Sequence, residues 1–260
     1  MSRDLSPIVP DMAPATIADI ERLDIVVRKL LGHSRLESDD RDALRSLPHD
    51  LRRLEAGDYI LREGERSDCC PLLLSGFAYR HKLAADGGRQ IVALKIPGDA
   101  LDLQSLFLRV ADHNLQTLTP AELAIVPIAA LEALVKARPA VARALLVDIL
   151  IEASIGREWL LNIGRRNALA RLAHFLCELT YRMHQTALEP PARIDVPITQ
   201  EQLADLLGLT PVHINRTLKT LEGAGAIERS GRRLTIGQID VLHRIADYSD
   251  IYLHRGAQSA

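Results

Sequence analysis

The feature that most constrains this chain is the stretch at residues 198–221, ITQEQLADLLGLTPVHINRTLKTL. It reads as two short helices joined by a tight turn. Leu203, Leu206 and Leu207 recur at the three- and four-residue spacing of one helix face. Gly208 follows, and glycine takes the left-handed backbone that ends a helix. Thr210 is then suited to cap a second helix, with Pro211 at its first position, where a missing N–H costs nothing. In that second helix Ile214, Leu218 and Leu221 share a face, while Val212, Arg216 and Lys219 point the other way, flanked by His213 and Asn215.

Such a unit has the layout of a helix-turn-helix: one apolar stripe docks it on a domain, and a polar, basic face stays free for a major groove. Arginine bonds guanine O6 and N7 in bidentate fashion, and asparagine does the same with adenine N6 and N7. Lys219 suits a phosphate, and Thr199, Gln200 and Thr210 at the two helix starts complete the expected contact set. The competing reading is an ordinary helical hairpin with a solvated outer face. The next segment, EGAGAIERSGRRLTI (222–236), favours the first. It predicts a Gly-rich turn and a two-stranded hairpin, a wing placing Arg229, Arg232 and Arg233 where phosphates pass.

The 260 residues suffice for one large or two ordinary domains, and 47% hydrophobic content supports real cores. Net charge is −2, but residues 164–238 carry ten Lys/Arg against seven Asp/Glu, so this part is locally basic. DNA binding needs a local patch, not a basic chain. Cys69, Cys70 and Cys177 form no C-x-x-C pair and no disulfide framework. The N-terminal MSRDLSPIVPDMAP is polar and Pro-broken, unlike a secretory leader. The most apolar run, 140–155, is interrupted by Arg143, Asp148 and Glu152 and falls short of the roughly 20 residues a membrane span needs. The expectation is a soluble, cytoplasmic protein with no membrane partner.

In chain order, residues 1–20 are expected to be a disordered arm, and 20–31 and 38–46 short helices. From Leu51 the period falls to about two, with turns every eight to twelve residues, which signals a sandwich or barrel. Strands are expected at 51–54, 59–61, 71–74, 77–83, 90–95, 115–118 and 122–126, with a short helical piece at 101–108. Residues 129–137 predict a helix, and 140–163 a single long one, about 36 Å at 1.5 Å per residue. It is apolar nearly all round, so it must be covered on more than one side. Its copy in a second subunit is one candidate cover, with Leu145, Ile149, Glu152, Ile155 and Trp159 as the dimerisation set; burial within one chain is the other. Residues 164–166 are a candidate hinge, 167–185 a further helix, 189–191 a loop, 238–249 a last helix, and 251–260 a flexible tail.

Assembled in order, the chain resembles the Crp–Fnr superfamily of bacterial transcription regulators. The resemblance rests on GDYILREGE (57–65), LLLSG (72–76), DGGRQIV (86–92), PGD (97–99) and the helix-turn-helix, and spans about residues 40–240. It implies an α+β chain. A double-stranded β-helix (jelly-roll-like) sensor domain (21–138) would lead into a dimerisation helix (139–164) and a winged helix-turn-helix domain (165–250). It also implies a non-enzymatic homodimer on a palindromic operator in double-stranded DNA, with RNA polymerase as a partner. No cofactor or metal is expected.

The sensing chemistry departs from the family. Cyclic-nucleotide binders carry Gly-Glu after the PGD turn for the ribose, and later Arg-Ser or Arg-Thr for the phosphate. Here those positions hold Asp102-Leu103 and about Ala111-Asp112. Two carboxylates near an anionic phosphate repel it, so cyclic AMP is not the expected effector, whose identity stays open. The corresponding pocket would comprise Gly98, Asp99, Asp102, Leu103, Arg109, Asp112 and His113, with Arg109 the one residue able to take over the phosphate. His81 and His113 are the residues a haem would use, although a lone His in a β domain is more often a hydrogen-bonded structural residue; no cysteine precedes Cys69 for an iron–sulfur cluster; Cys69-Cys70 is a candidate redox switch, but nothing nearby lowers a thiol pKa and burial in the roll is the expected state. The family's recognition helix often carries a glutamate where this chain has Val212, whereas Arg216 matches its base-reading arginine. The alternative reading is a small-molecule or redox sensor acting mainly through protein–protein contacts.

Overall fold

A computed structural model describes residues 22–108, 110–187, 194–230 and 233–254, and of Arg233 the backbone. The arm at 1–20, Arg109, Arg232, the loop at 189–191 and residues 255–260 lie outside the described residues. Two short helices, α1 (Asp24–Leu31) and α2 (Ser38–Arg45), precede seven strands: β1 (Asp50–Leu54), β2 (Tyr59–Leu61), β3 (Cys69–Ser75), β4 (Ala78–Leu83), β5 (Arg89–Lys95), β6 (Asn114–Thr117) and β7 (Ala121–Pro127). A 3₁₀ turn, Leu103–Leu106, stands where the helical piece is expected.

The strands form two antiparallel sheets, ordered β1-β7-β3 and β2-β6-β4-β5. Leu61, Leu73, Ala78, Leu101, Leu115 and Leu123 fill the space between them. Gly76 joins β3 to β4 with φ +80°, and a Cβ there would run into the Pro120 carbonyl, so only glycine fits. The other face of the three-stranded sheet, with Cys70, Leu72, Ala124 and Val126, packs on α1, on α3 (Ile128–Ala137) and on the first half of α4 (Pro139–Arg165). The other face of the four-stranded sheet, with Tyr79, Ile91 and Leu94, is covered by the C-terminal domain. Alternation along the central strands β3, β4 and β7 thus sends side chains to both faces.

α4 runs through Gly164 and leaves helical geometry at Arg166 (ψ 144°), the last residue of the expected hinge. The C-terminal domain comprises α5 (Ala168–Thr186), β8 (Ile194–Val196), α6 (Gln200–Leu207), α7 (Pro211–Gly223), β9 (Ile227–Ser230), β10 (Arg233–Ile236) and α8 (Ile239–Ala246). The wing sheet has three strands, in the order β8-β10-β9, not two. β8 is three residues long, and its Ile194-Asp195-Val196 alternation is too short to announce a strand.

The tail expected at 251–260 is corrected in its first part. Ile251–Leu253 forms a 3₁₀ turn. Leu253 is buried, Tyr252 donates to Glu178 Oε2 (3.0 Å), and His254 Nε2 lies 3.1 Å from Ser154 Oγ on α4. Apolar burial and two polar contacts tie it down.

His174 on α5 has no exposed surface. Its Nδ1 lies 3.1 Å from Asn162 Nδ2, and its ring stacks on Tyr252. Glu158, 3.3 Å from Nε2, is claimed by Arg166 at 2.7 Å. Burial first, then the Arg166 charge, push the His174 pKa down to about 3. The unfolded chain takes up a proton as pH falls through 6.5, and the folded chain does not until about 3. Stability that His174 contributes above pH 6.5 is therefore lost as pH falls through that window, by at most about 1.4 kcal/mol per unit. Urea midpoints of the wild type should fall from pH 6.5 to 4.5, and His174→Gln should flatten that slope; equal slopes would contradict the assignment.

Candidate nucleic-acid interface and sensor pocket

The helix-turn-helix is built from its caps outward. Thr199 Oγ1 accepts from the Gln202 N–H (3.2 Å) while Gln202 Oε1 accepts from the Thr199 N–H (2.9 Å), a capping box that fixes the first turn of α6. Gly208 ends α6 in the left-handed region, φ +62°. Thr210 caps α7 by accepting from the His213 N–H, with Pro211 at the first position. Ile214, Leu218 and Leu221 are buried with Leu203, Leu206 and Leu207. Val212, His213, Arg216 and Lys219 are exposed, as are Thr199, Gln200 and Thr210, and Asn215 is half-buried among them. The expected contact residues on the two helices therefore share one open face.

Two arginines differ from expectation or were not anticipated. Arg229 of the wing is held by Glu222 Oε2 at 2.8 Å, which neutralises a charge expected to meet phosphate. Arg171 on α5 donates to the Leu207 carbonyl (2.6 Å) and to the Ile163 and Arg166 carbonyls (2.8 and 3.0 Å). One guanidinium thus satisfies the C-terminal ends of both α6 and α4, where helix dipoles favour a cation. Its sequence signal is nil, because its partners are backbone atoms.

The helix-turn-helix also docks on the β-roll. Arg89 on β5 pairs with Asp205 on α6 at 2.6 Å, and Gln90 Nε2 donates to the Leu206 carbonyl. Arg182 on α5 donates to the Leu94 carbonyl (3.0 Å) and to Asp99 (3.1 Å).

Between β5, α4, α1 and α5 lies a cavity of about 170 Å³. Its polar lining is a cluster of ion pairs. Lys29 meets Asp99 (2.8 Å) and Asp148 (2.7 Å); Lys95 meets Glu152 (2.8 Å); Arg80 reaches both Glu152 and the Leu101 carbonyl. Burial alone would raise the Glu152 carboxyl, but Lys95 and Arg80 hold it below its ordinary value. Burial likewise opposes the charge on Asp148, yet Lys29 and His33 keep its pKa depressed. Burial and the neighbouring Arg80 pull Lys95 down.

Of the described pocket residues expected from the sequence, Asp102, Asp112 and His113 lie near one another, while Gly98, Asp99 and Leu103 line other spaces. Asp99 lines the ion-paired cavity, while Gly98 and Leu103 line a separate void of about 20 Å³. Asp102 is 2% exposed, with its pKa raised by burial. Asp112 is on the surface, bonded to His113 Nδ1 at 2.9 Å, and Arg109 lies outside the described residues. His81 is buried against the Tyr59 and Tyr79 rings. Among the described residues no group of three or more His, Cys, Asp or Glu is placed to hold a metal, and no helix is long and apolar enough to cross a membrane. Cys70 is fully buried and its thiol pKa is pushed up to about 12 by burial; burial and Asp68 also raise Cys69. Raised thiols are poor nucleophiles, which argues against a redox pair.

The residues expected to dimerise are wholly or partly covered within their own chain. Leu145 and Trp159 are each 6% exposed: Leu145 packs in the cluster with α1, and the Trp159 indole donates to the buried Glu178. Glu152 is spent on Arg80 and Lys95, and Ile149 and Ile155 are half-buried against their own chain. The exposed stripe lies one residue on. Leu146, Leu150 and Leu160 are 55%, 56% and 73% exposed. With Ala153, Arg157 and Gly164, also exposed, they follow the alternating four- and three-residue spacing of a coiled-coil seam.

Residues 51–138 match the cyclic nucleotide-binding domain family, and residues 170–245 the Crp-like helix-turn-helix domain family. A probable transcriptional activator of Rhizobium leguminosarum bv. viciae is 30% identical over 202 residues, 76% of this chain and 82% of that protein. The transcriptional activator protein FnrL of Cereibacter sphaeroides is 26% identical over 216 residues, 82% of this chain and 86% of that protein. The structure of FixK2 from Bradyrhizobium japonicum superposes with a TM-score of 0.70 at 25% identity, covering 77% of this chain and 98% of that one. Roll, long helix and winged helix-turn-helix follow one another here as the sequence motifs require, and with these relatives they show that this chain belongs to the Crp–Fnr superfamily of DNA-binding transcription regulators.

Proposed function

We propose that this chain acts in the cytoplasm, without catalysis, as a homodimer on a two-fold operator and works with RNA polymerase. Two α7 helices enter successive major grooves about 34 Å apart. The observation that carries this reading is the open face of α7: every large aliphatic side chain but Val212 is buried, and Val212, Arg216 and Lys219 stand free beside Asn215. Arg216 reads a guanine, Val212 suits a thymine methyl, and Lys219 meets a phosphate. Dimerisation uses the stripe through Leu146, Leu150 and Leu160. The expected pocket set does not support a cyclic-AMP site, since Asp102 and Asp112 would oppose its phosphate. The ion pairs of Arg80 and Lys95 with Glu152 already join roll to long helix, which supports DNA binding without an added nucleotide.

In equilibrium binding to its selected operator, Arg216→Ala should cost about 1–3 kcal/mol and relax preference at one base pair. Lys219→Ala, which removes one phosphate contact from each subunit of the dimer, should weaken binding on all sequences and reduce the salt slope by about 1.8. Equal loss on every sequence for Arg216→Ala would contradict base reading.

A charge on the exposed seam tests the dimer without opening a core. Leu150→Glu should shift sedimentation from dimer to monomer and weaken operator binding together, because half-site binding loses the linkage between two contacts. A dimer of unchanged stability would place the subunit contact elsewhere.

A further inference from the structure

Gln200 opens α6 and Asn215 lies in the middle of α7, yet their side chains meet: Asn215 Nδ2 donates to Gln200 Oε1 at 3.1 Å. Both ends of this bond are held. The Thr199–Gln202 capping box fixes the turn that carries Gln200, and buried Leu203 and Ile214 lock α6 against α7. The pair sits on the same open face as Arg216.

We propose that Gln200 is a positioning residue that makes Asn215 an adenine reader, at the base pair beside the guanine read by Arg216. The proposal rests on the DNA-binding reading above. A free asparagine amide is ambivalent: it has two N–H donors and one acceptor, so it can offer a donor and an acceptor to adenine N7 and N6, or two donors to guanine N7 and O6. With one N–H engaged by Gln200, a single donor and the carbonyl oxygen remain. Adenine satisfies both; guanine presents two acceptors to the oxygen and the one N–H, and leaves the oxygen unpaired. The bond also holds the amide in place before DNA arrives, which lowers the ordering cost of binding. Asn215 and Arg216 are adjacent on α7 and share its open face, so their side chains reach base edges close together in one groove.

The test is operator selection from randomised duplexes with the full-length protein and its Arg216→Ala, Asn215→Ala, Gln200→Ala and Gln200→Glu variants. The wild type should select an adenine next to the guanine whose preference Arg216→Ala removes. Asn215→Ala should lower the adenine preference about tenfold and leave the guanine intact. Gln200→Ala should admit guanine at the adenine position while the guanine read by Arg216 stays preferred. Gln200→Glu keeps an acceptor for Asn215 and should keep adenine. A wild-type motif that Asn215→Ala and Gln200→Ala both leave unchanged, or lower evenly at every position, overturns the proposal alone. A wild type that selects no motif overturns it together with the DNA-binding reading.

Discussion

The arrangement depends on charges taken out of water where the sensor roll, the long helix and the DNA-binding domain meet. Asp99 on the PGD turn binds Lys29 from α1 and Arg182 from α5, and Glu152 on α4 binds Arg80 and Lys95 from the four-stranded sheet. Buried ion pairs contribute little net stability, because desolvation offsets most of the attraction. Their effect is on geometry. Removing one partner leaves an uncompensated buried charge, which costs about 3–5 kcal/mol. The roll can therefore slide or rotate against α4 only by breaking Glu152 from two cations at once.

That constraint passes to the DNA-binding end through two further contacts. Arg182 reaches both Asp99 and Glu178, and Glu178 accepts from the Trp159 indole on α4 and from the Tyr252 hydroxyl of the docked tail. Arg171 then ties the last turn of α4 to the last turn of α6. The recognition helix is thus oriented by side chains that touch no DNA, from the β-roll outward. The exposed stripe of α4 lies on the opposite side from these ion pairs and stays uncovered by its own chain.

Much of this was legible in the residues because the relevant signals are local. Thr199, Gly208, Thr210 and Pro211 mark helix ends by backbone chemistry that neighbours alone decide, and the turn glycines punctuate the strands in the same way. The exposed stripe of α4 lies one residue from the expected one for a physical reason. Leu145 and Leu146, Ile149 and Leu150, Trp159 and Leu160 are adjacent apolar pairs, so two stripes of similar hydrophobicity run side by side, and only tertiary packing shows which is already covered. Glu152 looked like an interface residue because its partners are distant: Lys95 and Arg80 lie 57 and 72 positions away. Arg229 counted as a phosphate contact until Glu222, seven residues earlier in the chain, was seen to hold it. The expected pocket residues are only partly gathered, since a motif places backbone positions and not the side chains that fill the space between them.

Where Glu152, Lys95 and Arg80 already fix roll against long helix, no bound nucleotide is needed to set the DNA-binding geometry proposed above. The most direct measurement is operator affinity of protein unfolded, dialysed free of small molecules and refolded, titrated by fluorescence anisotropy with and without millimolar cyclic AMP. The account predicts tight, salt-dependent binding to the selected operator, with the same Kd in both titrations. Binding that appears only with the nucleotide, or tightens tenfold on adding it, would contradict the account and show that the space around Arg80, Lys95 and Glu152 still opens to a ligand.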